Sequence, residues 1–342
     1  MDLKHFITQM PKVELHVHLE GSVQPQTLLD LAHSHNVVLP ADDVEGLRQW
    51  YTFRDFEHFI DIYMAISACL QTEEDIELIA REFLIGQARQ HILYSEVTFT
   101  PYNQFFNNGL DMRKQMDAVN RARRWAEREL GVRMGIITDI PRQIPAEEGL
   151  LIAGLALECY GDGLIALGFG GPERDNPPEK FQDSFDRVRA VGIPCILHAG
   201  ETEGPASIWS AIQVADSRRI GHGVRAVEDP ALMGYLQRMQ IPLEVCLSSN
   251  ICLKVFPSLA EHSLPRLMER GLYVTINSDD PPMFNTTLTN EYLIGQEAFG
   301  WDQRTIEQLV INAVEATLLP ERERVEMRDT FRAEFAWLKR QG

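Results

Sequence analysis

The sequence predicts an α/β fold, a (β/α)8 TIM barrel with extra C-terminal helices. Eight mostly apolar strand segments alternate with helical segments along the 342 residues, which is typical of a parallel sheet covered by helices. Residues able to bind a metal or transfer a proton follow several of these strands, as they do at the catalytic face of barrel enzymes. No Gly-x-Gly-x-x-Gly motif follows the first strand, so a doubly wound dinucleotide-binding sheet is disfavoured.

The first strand, residues 13–19, contains a His-x-His pair near its end. Successive side chains of a strand point to opposite faces, so His16 and His18 share one face, about 6–7 Å apart along the strand. Two imidazoles at that spacing can bind one divalent cation. Alone, such a pair is more often two packed histidines, but later strands that end in similar residues favour the metal site.

The other seven strands are predicted from apolar or β-branched runs. Three of them end in residues suited to metal binding or proton transfer, namely His198 with Glu201, then His222, then Asp279 with Asp280. Packing alone does not produce this pattern. The predicted ranges are 91–100, 133–139, 163–171, 194–200, 219–223, 241–246 and 272–279.

Helical periodicity predicts the segments between the strands. Residues 53–63 carry an aromatic stripe that is most often core but could also wall a pocket for a flat ligand. A long helix is predicted to begin near Thr72, because the acidic residues that follow favour a helix N-terminus. Helices beyond about residue 302 have no strand to follow and are predicted to pack outside the barrel. The remaining predicted helices are 25–35, 112–130, 146–159, 179–191, 206–215, 230–239 and 259–270.

Composition and charge exclude several classes of function. Hydrophobic residues make up 44% and charged residues 24%, as in an ordinary soluble enzyme. No linker or internal repeat divides the sequence, so one domain over residues 1–342 is expected. The net charge of −18 disfavours nucleic acid and anionic membranes as partners, since both require a basic surface.

The same inspection gives an expected location. No apolar run approaches the roughly 18 residues needed to span a membrane, and the N-terminus lacks the apolar core of a signal peptide, so a cytoplasmic location is expected. The five cysteines are scattered without a Cys-x-x-Cys motif and are predicted to be free thiols, mostly buried. The sequence does not indicate an oligomeric state.

Strands one, five and eight together supply a candidate metal site of three histidines and an aspartate. A nitrogen-rich site with one oxygen ligand suits zinc. Barrels that bind two metals usually need a bridging acid or modified lysine on the fourth strand, and residues 168–172 contain neither. One Zn2+ per chain is therefore predicted, bound by His16, His18, His198 and Asp279.

Taken together, the motifs resemble the adenosine deaminases and their relatives in the amidohydrolase superfamily. The resemblance extends from Pro11 to about Glu315, with the motifs in the same order and on corresponding strands. As a set they are highly specific. The matching motifs are His16-Val17-His18-Leu19-Glu20-Gly21, His198-Ala199-Gly200-Glu201, Gly221-His222-Gly223, Ser248-Ser249-Asn250 and Asn277-Ser278-Asp279-Asp280-Pro281.

The resemblance implies hydrolytic deamination at C6 of a purine nucleoside, with the same four residues binding zinc. Glu201 would donate a proton to N1 of the purine, and His222 would take a proton from the attacking water. Asp280 would accept a hydrogen bond from N7, and the Gly171 amide would donate one to N3. Glu20 matches an acidic position that contacts the 5′ side of the ribose.

Simpler interpretations remain open for single residues. Glu201 could cap the following helix, His222 could be a packed strand histidine, and Asp280 could be a turn residue. Glu20, at a strand end, could be merely solvated. The catalytic roles are favoured because attack on an aromatic C–NH2 carbon needs a metal-activated hydroxide, a ring-nitrogen acid and a general base, and the sequence supplies each.

Departures from the adenosine-specific pattern bear on the substrate. Pro172 replaces an acidic residue, and the segments 96–102, 202–205 and 281–284 look like the branch that deaminates aminodeoxyfutalosine in menaquinone biosynthesis. That substrate is an adenine nucleoside with a bulky aromatic acid at its 5′ end, which requires an open channel. The candidates to line the channel are Glu20, Phe56, Phe59, Thr100 and Tyr102.

Other functions remain as alternatives to nucleoside deamination. The chain could deaminate free adenine, since that branch shares the His-Leu-Glu-Gly form of the first motif. It could be a different metal hydrolase on the same barrel, acting on an amide or a phosphoester. It could also be a non-catalytic purine-binding relative, although all the expected ligands are present.

Overall fold

The computed structural model describes residues 2–341 and shows a barrel of eight parallel strands. Each strand pairs with the next one along the chain, in the order β1 to β8. The predicted fold class is therefore confirmed. The strands are β1 (Lys12–His18), β2 (Ile92–Phe99), β3 (Arg133–Pro141), β4 (Leu164–Gly170), β5 (Cys195–Ala199), β6 (Ile220–His222), β7 (Leu243–Val245) and β8 (Val274–Ile276).

The barrel is closed by backbone hydrogen bonds just beyond the end of β8. The amide of His18 donates to the carbonyl of Asp279 at 2.9 Å, and the amide of Asp279 donates to the carbonyl of His16 at 3.1 Å. These bonds join two histidines of β1 directly to the aspartate predicted to share a metal with them.

Sixteen α-helices lie within residues 2–341 and surround the strands. Five of them, α1, α3, α6, α12 and α14, were not predicted; all but α14 have only six to eight residues, which is too short for clear periodicity. The helices are α1 (Leu3–Gln9), α2 (Pro25–Ser34), α3 (Val44–Trp50), α4 (Phe56–Ala68), α5 (Glu73–Arg89), α6 (Pro101–Asn108), α7 (Met112–Glu129), α8 (Ala146–Cys159), α9 (Gln182–Arg189), α10 (Pro205–Ala215), α11 (Pro230–Met239), α12 (Leu247–Cys252), α13 (Leu264–Glu269), α14 (Leu288–Phe299), α15 (Gln303–Ala316) and α16 (Glu321–Gln341).

Local side-chain bonds explain several helix boundaries. Thr72 and Asp75 form a capping box at the start of α5, in agreement with the predicted start. Asp55 caps α4 by accepting a hydrogen bond from the amide of His58 at 2.8 Å. The predicted helix over residues 259–270 is instead a 3-10 turn, Leu259–Glu261, followed by the short helix α13.

The N-terminal end of the barrel is closed by a buried lysine. The ammonium group of Lys12 donates to the carbonyls of Met10 and Gln90, each at 2.9 Å. Burial lowers the pKa of this lysine to about 7. The opposite, C-terminal end of the strands is left open, and the predicted functional residues lie there.

Two further expectations concern the cysteines and the membrane. All five cysteines are free, four of them are buried and Cys252 is half-buried, as predicted. Within residues 2–341, no helix combines the length and apolar character required to cross a bilayer.

The C-terminal helix α16 packs outside the strands, and the ring of its Phe335 lies 5.8 Å from that of Phe6 in α1.

Candidate active site

The candidate metal cluster consists of His16, His18, His198 and Asp279, whose ligand atoms all lie within 4.8 Å of one another. His18 Nε2 is 3.1 Å from His198 Nε2 and 3.3 Å from Asp279 Oδ1. His16 Nε2 is 3.5 Å from the same carboxylate oxygen. Strands β1 and β5 and the end of β8 therefore bring the four predicted residues to one point.

The chemistry of these four side chains fits a bound cation. His16 Nε2 is buried and has no hydrogen-bond partner among the described residues, so a metal would satisfy it. Burial lowers the pKa of His18 to about 4 and that of His198 well below its ordinary value, which keeps both rings in the neutral form that binds metals. Three imidazoles and one carboxylate are a typical zinc donor set.

The environment of His16 also favours positive charge at this point. Burial by itself would lower its pKa, but the nearby carboxylates of Asp279 and Glu244 raise it to about 10. A cation bound at Nε2 would be stabilised by the same two carboxylates. Glu244 lies on the far side of the ring, 2.9 Å from Nδ1, and fixes its orientation.

Two site residues adopt left-handed backbone conformations at strand ends. The φ angle is 61° at His222 and 65° at Asp279, which is uncommon for residues other than glycine. Such conformations persist where the surrounding structure determines them, and they occur often at active sites. Here they mark the two positions where the chain leaves β6 and β8.

Glu201 lies on the loop that follows β5, and this loop is held by Glu173. The carboxylate of Glu173 accepts hydrogen bonds from the amides of Gly200 at 2.9 Å, Glu201 at 2.9 Å and Thr202 at 2.7 Å. It also accepts one from the amide of Glu203 at 3.2 Å. Sequence reasoning did not assign a role to Glu173, whose side chain reaches this loop from beyond β4.

The carboxyl group of Glu201 is free to face the cavity. It does not cap α10, whose N-cap residue is Gly204 without a side-chain hydrogen bond. Its Oε2 lies 3.6 Å from His222 Nε2. Burial, together with the charge of Asp279, raises the pKa of Glu201 well above its ordinary value, so the protonated form is favoured.

His222 is buried, and its ring contacts the side chain of Asn250, which in turn contacts His262. Its Nδ1 is 3.4 Å from Asn250 Nδ2, and Asn250 Oδ1 is 3.1 Å from His262 Nε2. Burial lowers the pKa of His222 to about 4. The Ser-Ser-Asn motif on α12 thus contributes the amide that orients this histidine.

Asp280 is buried beside the cluster, and its Oδ1 has no hydrogen-bond partner among residues 2–341. The backbone of Gly21 passes so close that a Cβ atom there would lie 1.6 Å from this oxygen. Burial and the neighbouring Asp279 raise the pKa of Asp280 well above its ordinary value. The residue lines the cavity, and the protonated form of its carboxyl group is favoured.

These residues line a cavity of about 630 Å³, a volume that includes the opening to solvent. Of the four candidate metal ligands, His16 lies behind the wall while the other three reach it. The wall also contains the predicted Phe56, Phe59 and Thr100. The predicted functional residues in the wall are His18, Gly171, His198, Glu201, His222, Asp279 and Asp280.

The structure does not support the predicted roles of Glu20 and Tyr102 in lining the channel. Glu20 is fully buried, not solvated, and it accepts hydrogen bonds from the Thr100 amide at 3.0 Å and the Tyr63 hydroxyl at 3.2 Å. Tyr63 reaches the cavity and Glu20 does not. Tyr102 is buried with its ring stacked on Phe106, 6.0 Å away, and it is not part of the cavity wall.

Several residues of the wall were missed by sequence reasoning. They are Tyr63 on α4, Asn103 on α6, Asp139 at the end of β3 and Gln143 after it. Asp139 could have been found by the rule that located the others, since it is an acidic residue at the end of an apolar strand. Tyr63 and Asn103 carry no such signal, because both come from helices.

Comparisons with known proteins cover nearly the whole chain. A family model described as adenosine deaminase matches residues 11–334. An aminodeoxyfutalosine deaminase of Streptomyces coelicolor is 40% identical, over 98% of this chain and 88% of that protein. An adenine deaminase of Bordetella parapertussis is 37% identical, over 92% of this chain and 98% of that protein. The crystal structure of an adenine deaminase from Arthrobacter aurescens has a TM-score of 0.91 and 29% identity, and the match covers 96% of this chain and 99% of that one.

Proposed function

The chain belongs to the adenosine deaminase family and is a hydrolytic deaminase acting on C–N bonds, and from this premise we propose that it deaminates an adenine nucleoside extended at its 5′ position, such as aminodeoxyfutalosine. The reaction replaces the 6-amino group with oxygen and releases ammonia. The proposed chemistry rests on one observation. A buried carboxyl, Glu201, and a buried imidazole, His222, face each other at 3.6 Å beside a cluster suited to a metal.

The proposed cofactor is one Zn2+ per chain, held by the candidate metal cluster. When bound, such an ion lowers the pKa of a water molecule to about 7 and so makes hydroxide available at neutral pH. His222 would take the proton that water loses on attacking C6. Its neutral form, which burial favours, is the form that can accept this proton.

Glu201 is proposed to protonate N1, which makes C6 electrophilic. A carboxyl group can do this only if it is protonated before the reaction, and burial favours that form. The four amides held by Glu173 fix the loop on which Glu201 lies, so the acid is positioned before the substrate binds.

The expected contact between Asp280 and N7 needs a correction. N7 of an adenine nucleoside carries no hydrogen, so the carboxyl group must donate this hydrogen bond and not accept it. The raised pKa of Asp280 supports a protonated donor. The Gly171 amide, on the other side of the cavity, is proposed to donate to N3.

Support for a 5′-extended substrate comes from the cavity wall and from similarity. Phe56, Phe59 and Thr100 line the cavity, together with the polar side chain of Asn103, and give it the mixed aromatic and polar surface expected for such a group. The relative that is 40% identical is named for aminodeoxyfutalosine, and the relative that is 37% identical is named for the free base adenine. The higher similarity supports the nucleoside.

The experiment compares aminodeoxyfutalosine, adenosine and adenine by ultraviolet spectroscopy and ammonia release. The ratio kcat/KM measures transition-state binding, so it ranks the three compounds directly. We expect the 5′-extended nucleoside to react at least as well as adenosine, and adenine far more slowly. A preference for adenine would identify a base deaminase. A preference for adenosine with rejection of the 5′ extension would identify an ordinary adenosine deaminase.

A further inference from the structure

Asp139, at the end of β3, is a buried carboxyl group in the cavity wall that has no protein partner. The residue is 5% exposed, and within residues 2–341 its carboxyl group has neither a hydrogen bond nor an ion pair, only the more distant charges of His16, Glu20 and Arg142. A buried carboxyl group without a partner is costly, since each buried polar atom normally has a hydrogen bond. The group is available to a ligand in the cavity.

The neighbouring strand leaves room for this carboxyl group. A Cβ atom added to Gly168 would lie 2.1 Å from Asp139 Oδ1, and one added to Gly170 would lie 2.5 Å from Oδ2. The two glycines of β4 therefore form a cradle that no other residue type could form. Asp139 is also separate from the candidate metal cluster, because its oxygens are in neither group of clustered ligand atoms found among the described residues.

The topology of the barrel places Asp139 opposite the groups that act on water. In a ring of eight strands ordered β1 to β8, β3 lies diametrically across from β7. His222 ends β6 and Asp279 follows β8, so the two residues flank β7. A flat ligand between them and Asp139 would have one face towards His222 and the other towards Asp139.

The contacts of the proposed function orient a purine in this way. Glu201 and Gly171, which would bind N1 and N3, follow β5 and β4, and Asp280, which would bind N7, follows β8. The ring edges then point to β4, β5 and β8, and the ring faces look towards β6–β7 and β2–β3. Water activated near His222 adds to one face of C6, and the amino group is displaced towards the opposite face.

We propose that Asp139 binds the leaving amino group, an assignment that rests on the proposed function. In the tetrahedral intermediate the amine donates an N–H hydrogen bond to the ionised carboxyl group of Asp139, a form still populated at neutral pH because burial raises its pKa only to about 7. The C6–N bond then breaks, its electron pair stays with nitrogen, and nitrogen takes the proton lost by the C6 hydroxyl. The products are ammonia and the 6-oxo purine. Asp139 keeps its protonation state and stabilises the positive charge that develops on nitrogen.

The test varies the leaving group. Asp139→Asn keeps the size of the side chain but removes its charge, and adenosine is compared with 6-chloropurine riboside, whose chloride donates no hydrogen bond. We expect kcat for adenosine to fall roughly 10²–10³-fold, the range for loss of one charge-stabilising contact. We expect kcat for the chloro compound to stay the same or rise, and the metal content to stay the same.

Glu201→Gln is the control, since N1 must be protonated for either leaving group to depart. It should slow both compounds, whereas Asp139→Asn should slow only the amine. An equal loss for both compounds in Asp139→Asn, or loss of the bound metal, would overturn the assignment. Failure of the proposed function gives a different result, in which the wild-type protein releases neither ammonia from adenosine nor chloride from 6-chloropurine riboside.

Discussion

His16 Nδ1 and Glu244 Oε2 are 2.9 Å apart, both buried inside the barrel beneath the candidate metal cluster. The other oxygen of Glu244 accepts a hydrogen bond from Arg219 Nε at 2.5 Å, and Arg219 Nη2 is 2.6 Å from Glu96 Oε2. These buried ion pairs and hydrogen bonds link β2, the residue that precedes β6, β7 and β1. They hold the ring of His16 so that Nε2 faces the other three residues of the cluster.

The first prediction concerns this support of the metal. Glu244→Gln keeps the shape of the side chain but weakens its bonds to His16 and Arg219. Partners that orient a metal-bound histidine contribute roughly 10–100-fold to metal affinity, so zinc affinity should fall by that factor. Competition with a chromogenic chelator measures the affinity, and elemental analysis should give one zinc per wild-type chain.

The matched control is Glu77→Gln. Glu77 also pairs with arginine, at 2.7 Å to Arg81 and 2.5 Å to Arg121, but it is partly exposed and forms no ion pair with a histidine of the candidate metal cluster. It should leave zinc affinity unchanged. If Glu244→Gln binds zinc as tightly as this control, the buried ion pairs and hydrogen bonds stabilise the fold and do not tune the metal.

The second prediction concerns the acid. Glu201→Gln retains a hydrogen bond to the purine but cannot protonate N1, so turnover should fall roughly 10²–10⁴-fold at unchanged zinc content. Glu203→Gln, on the same loop and paired with the exposed Arg174 at 3.5 Å, should retain normal turnover. Near-normal turnover in Glu201→Gln would mean that another group supplies the proton.

Much of the fold could be predicted from sequence because strands and surface helices have strong periodic signals. All eight strands were found, with boundaries wrong by a few residues where apolar residues continue beyond the strand, as at Leu272. The missed helices α6 and α12 are short and lie directly after strands. Their positions depend on packing at the barrel rim, which local periodicity does not contain.

The residues of the candidate site could be predicted from the sequence only where they lie in or just after a recognisable strand. His16 and His198 lie in recognisable strands and Asp279 follows one, and the structure brings the three together, although their role as ligands stays a prediction. Glu173 and Glu244 act through contacts between residues far apart in sequence. The burial of Glu20 depends on Tyr63 and Thr100 folding over it, which no local pattern reveals.

The third prediction uses Glu173, which binds the loop of Glu201. Burial by itself would raise its pKa, but the charge of Arg142 and several hydrogen bonds lower it below the ordinary value. A group with a lowered folded-state pKa stabilises the fold above its unfolded pKa, and this stability is lost as pH falls through the folded value. Glu173→Gln should therefore be destabilised at neutral pH, by about 1.5–3 kcal/mol for bonds to a charged group.

Urea unfolding of the wild type and of Glu173→Gln, measured at a series of pH values, tests this predicted loss of stability. The difference in unfolding free energy should be constant at neutral pH and should shrink as pH falls below about 4.3, the ordinary pKa of glutamate. Turnover should fall as well, because the loop loses its anchor. A difference that stays constant down to acid pH would show that Glu173 is not ionised in the folded protein.

The last prediction concerns Gly21, whose backbone lies against Asp280. A Cβ atom at this position would lie 1.6 Å from Asp280 Oδ1 and 2.5 Å from Cγ, so Gly21→Ala must displace the carboxyl group. Gly86 in α5 is the matched control, since a Cβ atom there meets nothing within 4 Å. Gly86→Ala should be active and slightly more stable, by about 0.5–1 kcal/mol.

If Asp280 donates the hydrogen bond to N7, its displacement removes a contact to the purine without changing the acid, the base or the metal ligands. A hydrogen bond between neutral groups contributes about 0.5–1.5 kcal/mol, and 1.4 kcal/mol is a factor of ten, so kcat/KM for the nucleoside should fall roughly 2- to 10-fold. Zinc content should be unchanged. Normal kcat/KM in Gly21→Ala would mean that Asp280 does not contact the substrate, and loss of zinc would mean that Asp280 acts by holding Asp279 in place.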